Sequence, residues 1–422
     1  MKKLFLSLTI MVMVAMLLVP LVGCFSNREE ILKVYNCTEY IYEDEKDANI
    51  STVKDFEKYY TEVTGKKIKV QYDTYNSNEE MLNKIVGGKA DYDVACASDY
   101  IIEKLRMANY LIELQKDLGN DTAGNAITDY RNNISPLCSS RPFDPENKYS
   151  RTYMWGTMGI LYNPAMLTEA DRVDKDANGH PDFIQSWDAM WSKSYTNKIY
   201  MKDSMRDTFA IGAIKTFKQD ILAGKMTVEQ ALNATSASQV ALIEKELINQ
   251  KSILLGYEVD KDKQEVIDGK AVMALQWGGD AFWAIDEAAS LTTPRNINYY
   301  IPDEGSNIFF DGWFVPKNCK NSLAAQLWIN FMCKPEIAIQ NMDYIGYSTG
   351  VATQEVMDWM NTSYADFSAI DLSYFFGESG KAVKMDARQF PTKAMIDRCA
   401  VMRDFGENNK NVTDLWARVK AA

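Results

Sequence analysis

Between residues 68 and 73 apolar and polar side chains alternate, with Ile68, Val70 and Tyr72 set against Lys69, Gln71 and Asp73. A two-residue period marks a strand with one buried face. The stretch before it repeats differently. Val53, Phe56, Tyr60 and Val63 recur at helical spacing, and Gly65 stands where a left-handed C-terminal stop belongs. A short apolar segment, Ile31 to Tyr35, precedes that helix and reads as a strand running into a polar loop, Asn36 to Tyr40. Ser77, followed by Glu80 and the apolar pair Met81 and Leu82, reads as a capping box opening the next helix. Asp91 to Ala97 is a third strand, and Ser98-Asp99 starts the helix after it.

Strands alternating with helices at this spacing imply a parallel sheet wound with helices. In such sheets ligands gather at the C-terminal ends of strands. Those ends are Asn36–Tyr40 and Ser98–Tyr100. A polar, proline-containing stretch, Ser135 to Arg151, separates this unit from a second α/β unit. The second unit has an acidic loop after Tyr200 and an apolar strand from Ala271 to Gln276. Ile297–Ile301 and Phe309–Val315 read as further strands, and Leu415, Trp416 and Val419 share one face of a C-terminal helix. The chain shows no internal repeat.

The N-terminus carries a different signal. Lys2 and Lys3 precede a run without charges from Leu4 to Val22, the layout of a secretory signal. The run is long enough to span a membrane. Leu21-Val22-Gly23-Cys24 resembles a bacterial lipobox, which makes Cys24 the expected lipidation site and residues 1–23 the removed signal. Two or more acyl chains on one terminus give stable anchoring. The other reading is an uncleaved N-terminal anchor. Both place the body outside the cytoplasm.

The 422 residues are too many for one ordinary core and suit two domains. A net charge of −12 argues against nucleic acid and favours cationic solutes by steering. Cys37, Cys96, Cys138, Cys319, Cys333 and Cys399 form no CxxC or zinc-type spacing, and buried free thiols are expected. His180 is the single histidine, which disfavours a His-based triad or a His-rich metal site.

These residues together resemble the spermidine/putrescine-binding proteins of ABC importers. Tyr35-Asn36-Cys37-Thr38-Glu39-Tyr40 matches the family's first loop except at Cys37, and Ser77-Asn78-Glu79-Glu80-Met81 matches its helix start. Phe143-Asp144-Pro145-Glu146-Asn147 and Tyr153-Met154-Trp155-Gly156 match the first crossover. Trp277-Gly278-Gly279-Asp280-Ala281, Phe310-Asp311, Tyr344-Ile345-Gly346-Tyr347 and Leu415-Trp416 follow in the family's order. The resemblance implies a two-lobed, periplasmic-binding-protein-like α/β fold of type II, with a ligand cleft between lobes. It implies hinge closure and reading of the closed form by permease subunits. It further implies a monomer, with no catalytic residue, cofactor or metal. A linker of residues 24–30 is expected, then one lobe of 31–154 with about 278–320. The other lobe is 155–277 with about 321–422 and the C-terminal helices.

A polyamine presents ammonium groups on a methylene chain, so its site must supply carboxylates for the charges and apolar or aromatic walls for the stem. By position, the resemblance assigns Asp280 and Asp311 as ammonium acceptors and Trp277 as the wall. Asp280 also reads as a helix cap and Asp311 as a turn residue. Ser98 and Tyr100 lie at a strand end, where Ser98 serves the ligand or caps the next helix. Thr38, Glu39 and Tyr40 occupy the first loop, Tyr40 packing on the ligand and Glu39 a third carboxylate or a solvated charge. Asp207 matches an acidic position in the loop Asp203–Asp207, and Tyr257 an aromatic wall.

Two departures stand out. Cys37 replaces a tryptophan, and Ser204 replaces an acid, so the pocket is expected to differ in shape and to carry one negative charge fewer. They leave open putrescine, spermidine, another organic cation or a sugar. A carboxylate-based glycosidase is the remaining alternative, with no catalytic signature behind it. Separately, Asp174, Asp176, Asn178 and Gly179 follow the first half of a calcium loop, but Gln185 holds the place of its bidentate glutamate.

Overall fold

The computed structural model describes residues 30–422 apart from 45, 89 and 90. The expected signal segment and Cys24 lie outside the described residues. Among the described residues no helix is long and apolar enough to cross a membrane.

The first unit runs β1 (Ile31–Cys37), α1 (Thr52–Thr64), β2 (Lys69–Tyr75), α2 (Asn78–Val86), β3 (Val94–Ser98) and α3 (Asp99–Met107). Ser51 accepts the Lys54 N–H at the start of α1, and Gly65, at φ 70°, ends it with its own N–H on the Thr61 carbonyl. Ser77 caps α2 by accepting from the Glu80 N–H. The reciprocal half of the expected box is absent: the Glu80 carboxylate takes the Asn76 N–H instead, at 3.3 Å. β1 pairs in parallel with both β2 and β3.

Two long strands connect the units. β4 (Ser150–Tyr162) is buried along almost its whole length. After it the second unit runs β5 (Ile199–Lys202), α4 (Met205–Thr216), α5 (Ala237–Lys251), β6 (Gly256–Glu258), α6 (Lys261–Ile267), β7 (Met273–Trp277), α7 (Gly278–Ser290) and β8 (Asn298–Tyr300). β9 (Ser306–Pro316) then returns antiparallel to both β3 and β4. The strand order is β2-β1-β3-β9-β4-β7-β5-β6. The sheet is therefore parallel at its two ends, as expected, and antiparallel in the middle, where β4 and β9 cross.

The buried side chains fall into two large clusters, which define the lobes. The first gathers residues from Leu32 to Trp155 and from Ile308 to Ile396. The second gathers Met158 to Tyr300 with Met402 to Val419, and a smaller cluster joins α6, α7 and β8 to it. The sequence partition put 321–396 with the second lobe, whereas these side chains pack with the first. The reason lies in α8 (Ser322–Met332), which is buried from Ala324 to Met332. Its Trp328 ring meets Phe56 of α1 at 5.0 Å and Trp313 of β9 at 5.5 Å. A helix apolar on all sides must be covered on all sides, and α1, β9, α9 (Pro335–Ile345) and α10 (Gln354–Ser363) lie in the first lobe with it. Likewise α7, expected with the first lobe, packs through Ala281, Ala284, Ile285 and Ala288 onto the second. The last helix, α11 (Asn409–Ala421), keeps the expected assignment and covers α5.

Among the described residues Cys37, Cys96, Cys138, Cys333 and Cys399 are free thiols, Cys96, Cys138 and Cys333 buried and Cys37 and Cys399 half-buried.

Candidate functional site

β3 and β9 meet at their functional ends, with Ser98 opposite Asp311. The register of β9 against β4 slips between Asp311 and Gly312. Such a bulge re-aims a side chain out of the ladder. Ser98 stands at the N-cap of α3 but makes no capping bond. Its hydroxyl donates to Asp311 Oδ1 at 2.7 Å, and the Tyr40 hydroxyl donates to Oδ2 at 2.8 Å. Asn78, the first residue of α2, donates to Ser98 Oγ at 3.0 Å. Burial raises the Asp311 pKa, the two hydroxyl donors pull it back, and the nearby Asp207 charge pushes it up again.

Asp280 comes from the other lobe. α7 starts at Gly278, three residues before Ala281, so Asp280 lies in its first turn rather than capping it. A carboxylate there is favoured by the helix dipole. Its side chain is 17% exposed. The Tyr347 hydroxyl donates to Asp280 Oδ1 at 3.1 Å across the lobes. Tyr347 packs edge-on against Tyr40, with ring centres 5.1 Å apart, and Phe309 lies 6.4 Å from it. Gly279 makes room for this ring: a Cβ on it would stand 2.2 Å from Tyr347 Cδ2. Cys37 lies beside the same carboxylates. Burial, with Asp311 and Asp280 adding to it, pushes its thiol up to about 12.

The third carboxylate, Asp207, lies in the first turn of α4. Burial raises its pKa, against hydrogen bonding from Ser204 and Trp277 and the charge of Lys202. Ser204, where an acid was expected, is the N-cap of α4. Trp277 packs against both cores. One partner of its ring is a protein cation: Lys202 Nζ lies 4.4 Å from the ring centre. Lys202 is fully buried, donates to the Val259 carbonyl at 2.5 Å and lies 3.8 Å from Asp262 Oδ1. Burial lowers the Lys202 pKa and raises that of Asp262 to about 6. A second lysine, Lys263 of α6, places Nζ 3.9 Å from Asp280 Oδ1 and 2.6 Å from Asp260 Oδ1. Burial opposes its charge, and Asp280 and Asp260 outweigh that and raise its pKa.

Tyr40, Ser98, Asp311, Asp280, Asp207 and Trp277 thus converge. The remaining candidates lie farther out. The Thr38 hydroxyl bonds to Tyr75 O at 3.2 Å and to Asn76 at 3.1 Å. Glu39 is exposed, and its φ of 55° turns the chain so that Tyr40 points inward. Tyr100 carries the Arg206 guanidinium on its ring at 3.7 Å, a contact between lobes. Tyr257 is not brought to the cleft group. Its strand β6 ends the sheet, and its ring packs on Trp416 of α11 at 5.2 Å with Lys420 Nζ at 4.9 Å. Tyr347, Lys202 and Lys263 were not expected. Tyr347 lies in a motif the sequence displays, but nothing local to either lysine marks it as facing a carboxylate.

In the loop after β4, oxygens of Asp174, Asp176 and Asp182 come within 4.8 Å of one another. Each accepts hydrogen bonds from within the loop. Asp174 accepts from Asn178 and Gly179 N–H groups, and Asp182 from Lys175. Gln185 turns its amide nitrogen to Asp176 at 3.3 Å, a donor where a calcium ligand would be an acceptor.

Two α/β lobes on one curled sheet, with carboxylates and rings facing each other across the junction, define a solute-binding protein. The chain belongs to the bacterial extracellular solute-binding protein family, whose model matches residues 51–362. The spermidine/putrescine-binding periplasmic protein of Salmonella typhimurium is 27% identical over 76% of this chain and 77% of its own. The putrescine-binding periplasmic protein SpuD of Pseudomonas aeruginosa is 26% identical over 93% of this chain and 92% of its own. Among solved structures, PotD, the substrate-binding protein of a spermidine/putrescine ABC transporter of Streptococcus pneumoniae, superposes with a TM-score of 0.64 at 27% identity. That match covers 93% of this chain and 99% of PotD.

Proposed function

We propose that the protein captures a polyamine of the putrescine or spermidine type and delivers it to the permease of an ABC importer. The observation that carries this reading is the pairing of carboxylates from opposite lobes, Asp311 on one side and Asp207 and Asp280 on the other, around a wall of Tyr40, Tyr347 and Trp277. Ammonium groups taken out of water need such charged acceptors, and aromatic faces add about 0.5–2 kcal/mol each. The polyamine-binding relatives support the choice of solute. Ligand held by both lobes favours the approach of the two, which is hinge closure. Lipid attachment at Cys24 then keeps a monomeric binding protein at the membrane that holds its permease. The reading is of binding without turnover.

Thermal unfolding with putrescine, spermidine, other amines and sugars tests it. An amine at a hundredfold its dissociation constant stabilises the folded state by about 2.7 kcal/mol. A shift with sugars and none with any amine overturns the reading. Mass spectrometry of the exported protein tests the anchor, where an unmodified Cys24 thiol would refute it.

A further inference from the structure

We propose that Lys263 is a built-in counter-ion that sets the charge of the accepted ligand at two and so selects diamines over triamines. The inference rests on the amine reading above and specifies its substrate class.

The argument begins with which carboxylates are already partnered. Asp280 faces Lys263 Nζ at 3.9 Å, and Lys263 is held from behind by Asp260 at 2.6 Å. The lysine is only 14% exposed, and its Nζ also lies 4.7 Å from the Trp283 ring centre. It is an installed part of the wall rather than a surface side chain passing by. Lys202 is matched with Asp262, both fully buried. Asp207 and Asp311 make no salt bridge among the described residues, and they come from opposite lobes. Asp207 and Asp311 are thus the two cleft carboxylates with no described lysine within salt-bridge range, whereas Asp280 shares Lys263 with Asp260.

Trp277 points the same way. A longer amine gains by laying a cationic segment on an aromatic face. Here a protein ammonium, Lys202, already lies 4.4 Å from that ring. A third ammonium near Asp280 or Trp277 meets like charge on Lys263 and Lys202, and like charges in a partly desolvated cleft repel strongly. A diamine set between Asp207 and Asp311 keeps clear of Lys263, and the Lys202 charge that Asp207 feels is shared with Asp262.

Calorimetric titration of the purified protein with putrescine and spermidine at fixed ionic strength tests this, using Lys263→Ala, Lys263→Gln and Lys263→Arg beside the unmutated chain. The unmutated protein should prefer putrescine. Both neutral variants should raise the ratio of spermidine to putrescine affinity by at least about tenfold, and Lys263→Arg should keep the original preference. A ratio unchanged in the neutral variants, or changed equally by Lys263→Arg, overturns the inference while leaving amine capture intact. Failure of the unmutated protein to bind either amine overturns the amine reading, and this inference falls with it.

Discussion

Ser98 gives its hydroxyl to Asp311 Oδ1 at 2.7 Å and leaves the first turn of α3 without a side-chain cap. The bond favours the ionised carboxylate against the burial that disfavours it. Ser98→Ala should therefore weaken amine binding about ten- to a hundredfold, matching the ~1.5–3 kcal/mol of a hydrogen bond to a charged group. Calorimetry measures it. Unchanged affinity would show that the hydroxyl does not prepare Asp311 for its ligand.

Affinity should fall on acidification, with a midpoint above the ordinary carboxylate range. Burial raises both Asp311 and Asp207. Protonation removes the charge an ammonium needs, so binding is present above the raised pKa values and lost below them. Titrations from about pH 8 down to about pH 3 locate the midpoint, and a midpoint near the ordinary aspartate value of about 4 would refute the assignment.

Asp99 is pushed to about 8 by burial, despite accepting from the Phe310 and Tyr100 N–H groups. Between the ordinary value near 4 and about 8, the folded chain holds a proton that the unfolded chain has lost. Stability contributed by this site therefore falls as pH rises through that window. Asp99→Asn mimics the protonated form. Its melting temperature relative to the unmutated protein should rise steadily from about pH 5 to about pH 8.5; a constant difference would refute a protonated Asp99.

Arg206 joins the lobes by stacking between Tyr100 at 3.7 Å and Phe405 at 3.9 Å. Close by, Glu103 of α3 binds the Arg403 guanidinium and the Asp404 N–H. Arg206→Lys loses the planar stack while keeping the charge. It should destabilise the protein by about 1–2 kcal/mol in chemical denaturation. Small-angle scattering of the ligand-free variant should report a larger radius of gyration than that of the unmutated protein. No change in either would mean the stack does not hold the lobes together.

Burial raises the thiols of Cys37, Cys333 and Cys399 to about 12, and those of Cys96 and Cys138 upward as well. The thiolate is the reactive form. Native protein should resist iodoacetamide at pH 8 at these five positions and react at all of them once unfolded. Rapid native alkylation of Cys37 would show that the thiol is open to solvent.

The strands and helices of the first unit were legible because each buries one face against a single sheet, and a buried face leaves a period. The motifs around Asp280, Asp311 and Trp277 placed them at the strand and helix ends that the fold brings to one junction. Lobe membership of α8 was not: a helix apolar all round does not say which lobe covers it. Tyr257 misled for a related reason, since a tyrosine beside an acidic loop reads as a wall, and only the fold shows that Trp416 has taken its ring. Lys202 and Lys263 were invisible because an ion pair is a relation between elements. Lys263 is 17 positions from Asp280, and only the packing of α6 beside α7 brings them together.

Gly279 carries no side chain, yet it fixes where Tyr347 stands. Adding one methyl group there would occupy space the tyrosine ring already fills. The ring would have to retreat, and its hydroxyl would leave Asp280. The empty space at position 279 is thus part of the recognition surface. A variant that alters no charge and removes no hydrogen-bonding group, Gly279→Ala, would displace the Tyr347 ring and take its hydroxyl off Asp280.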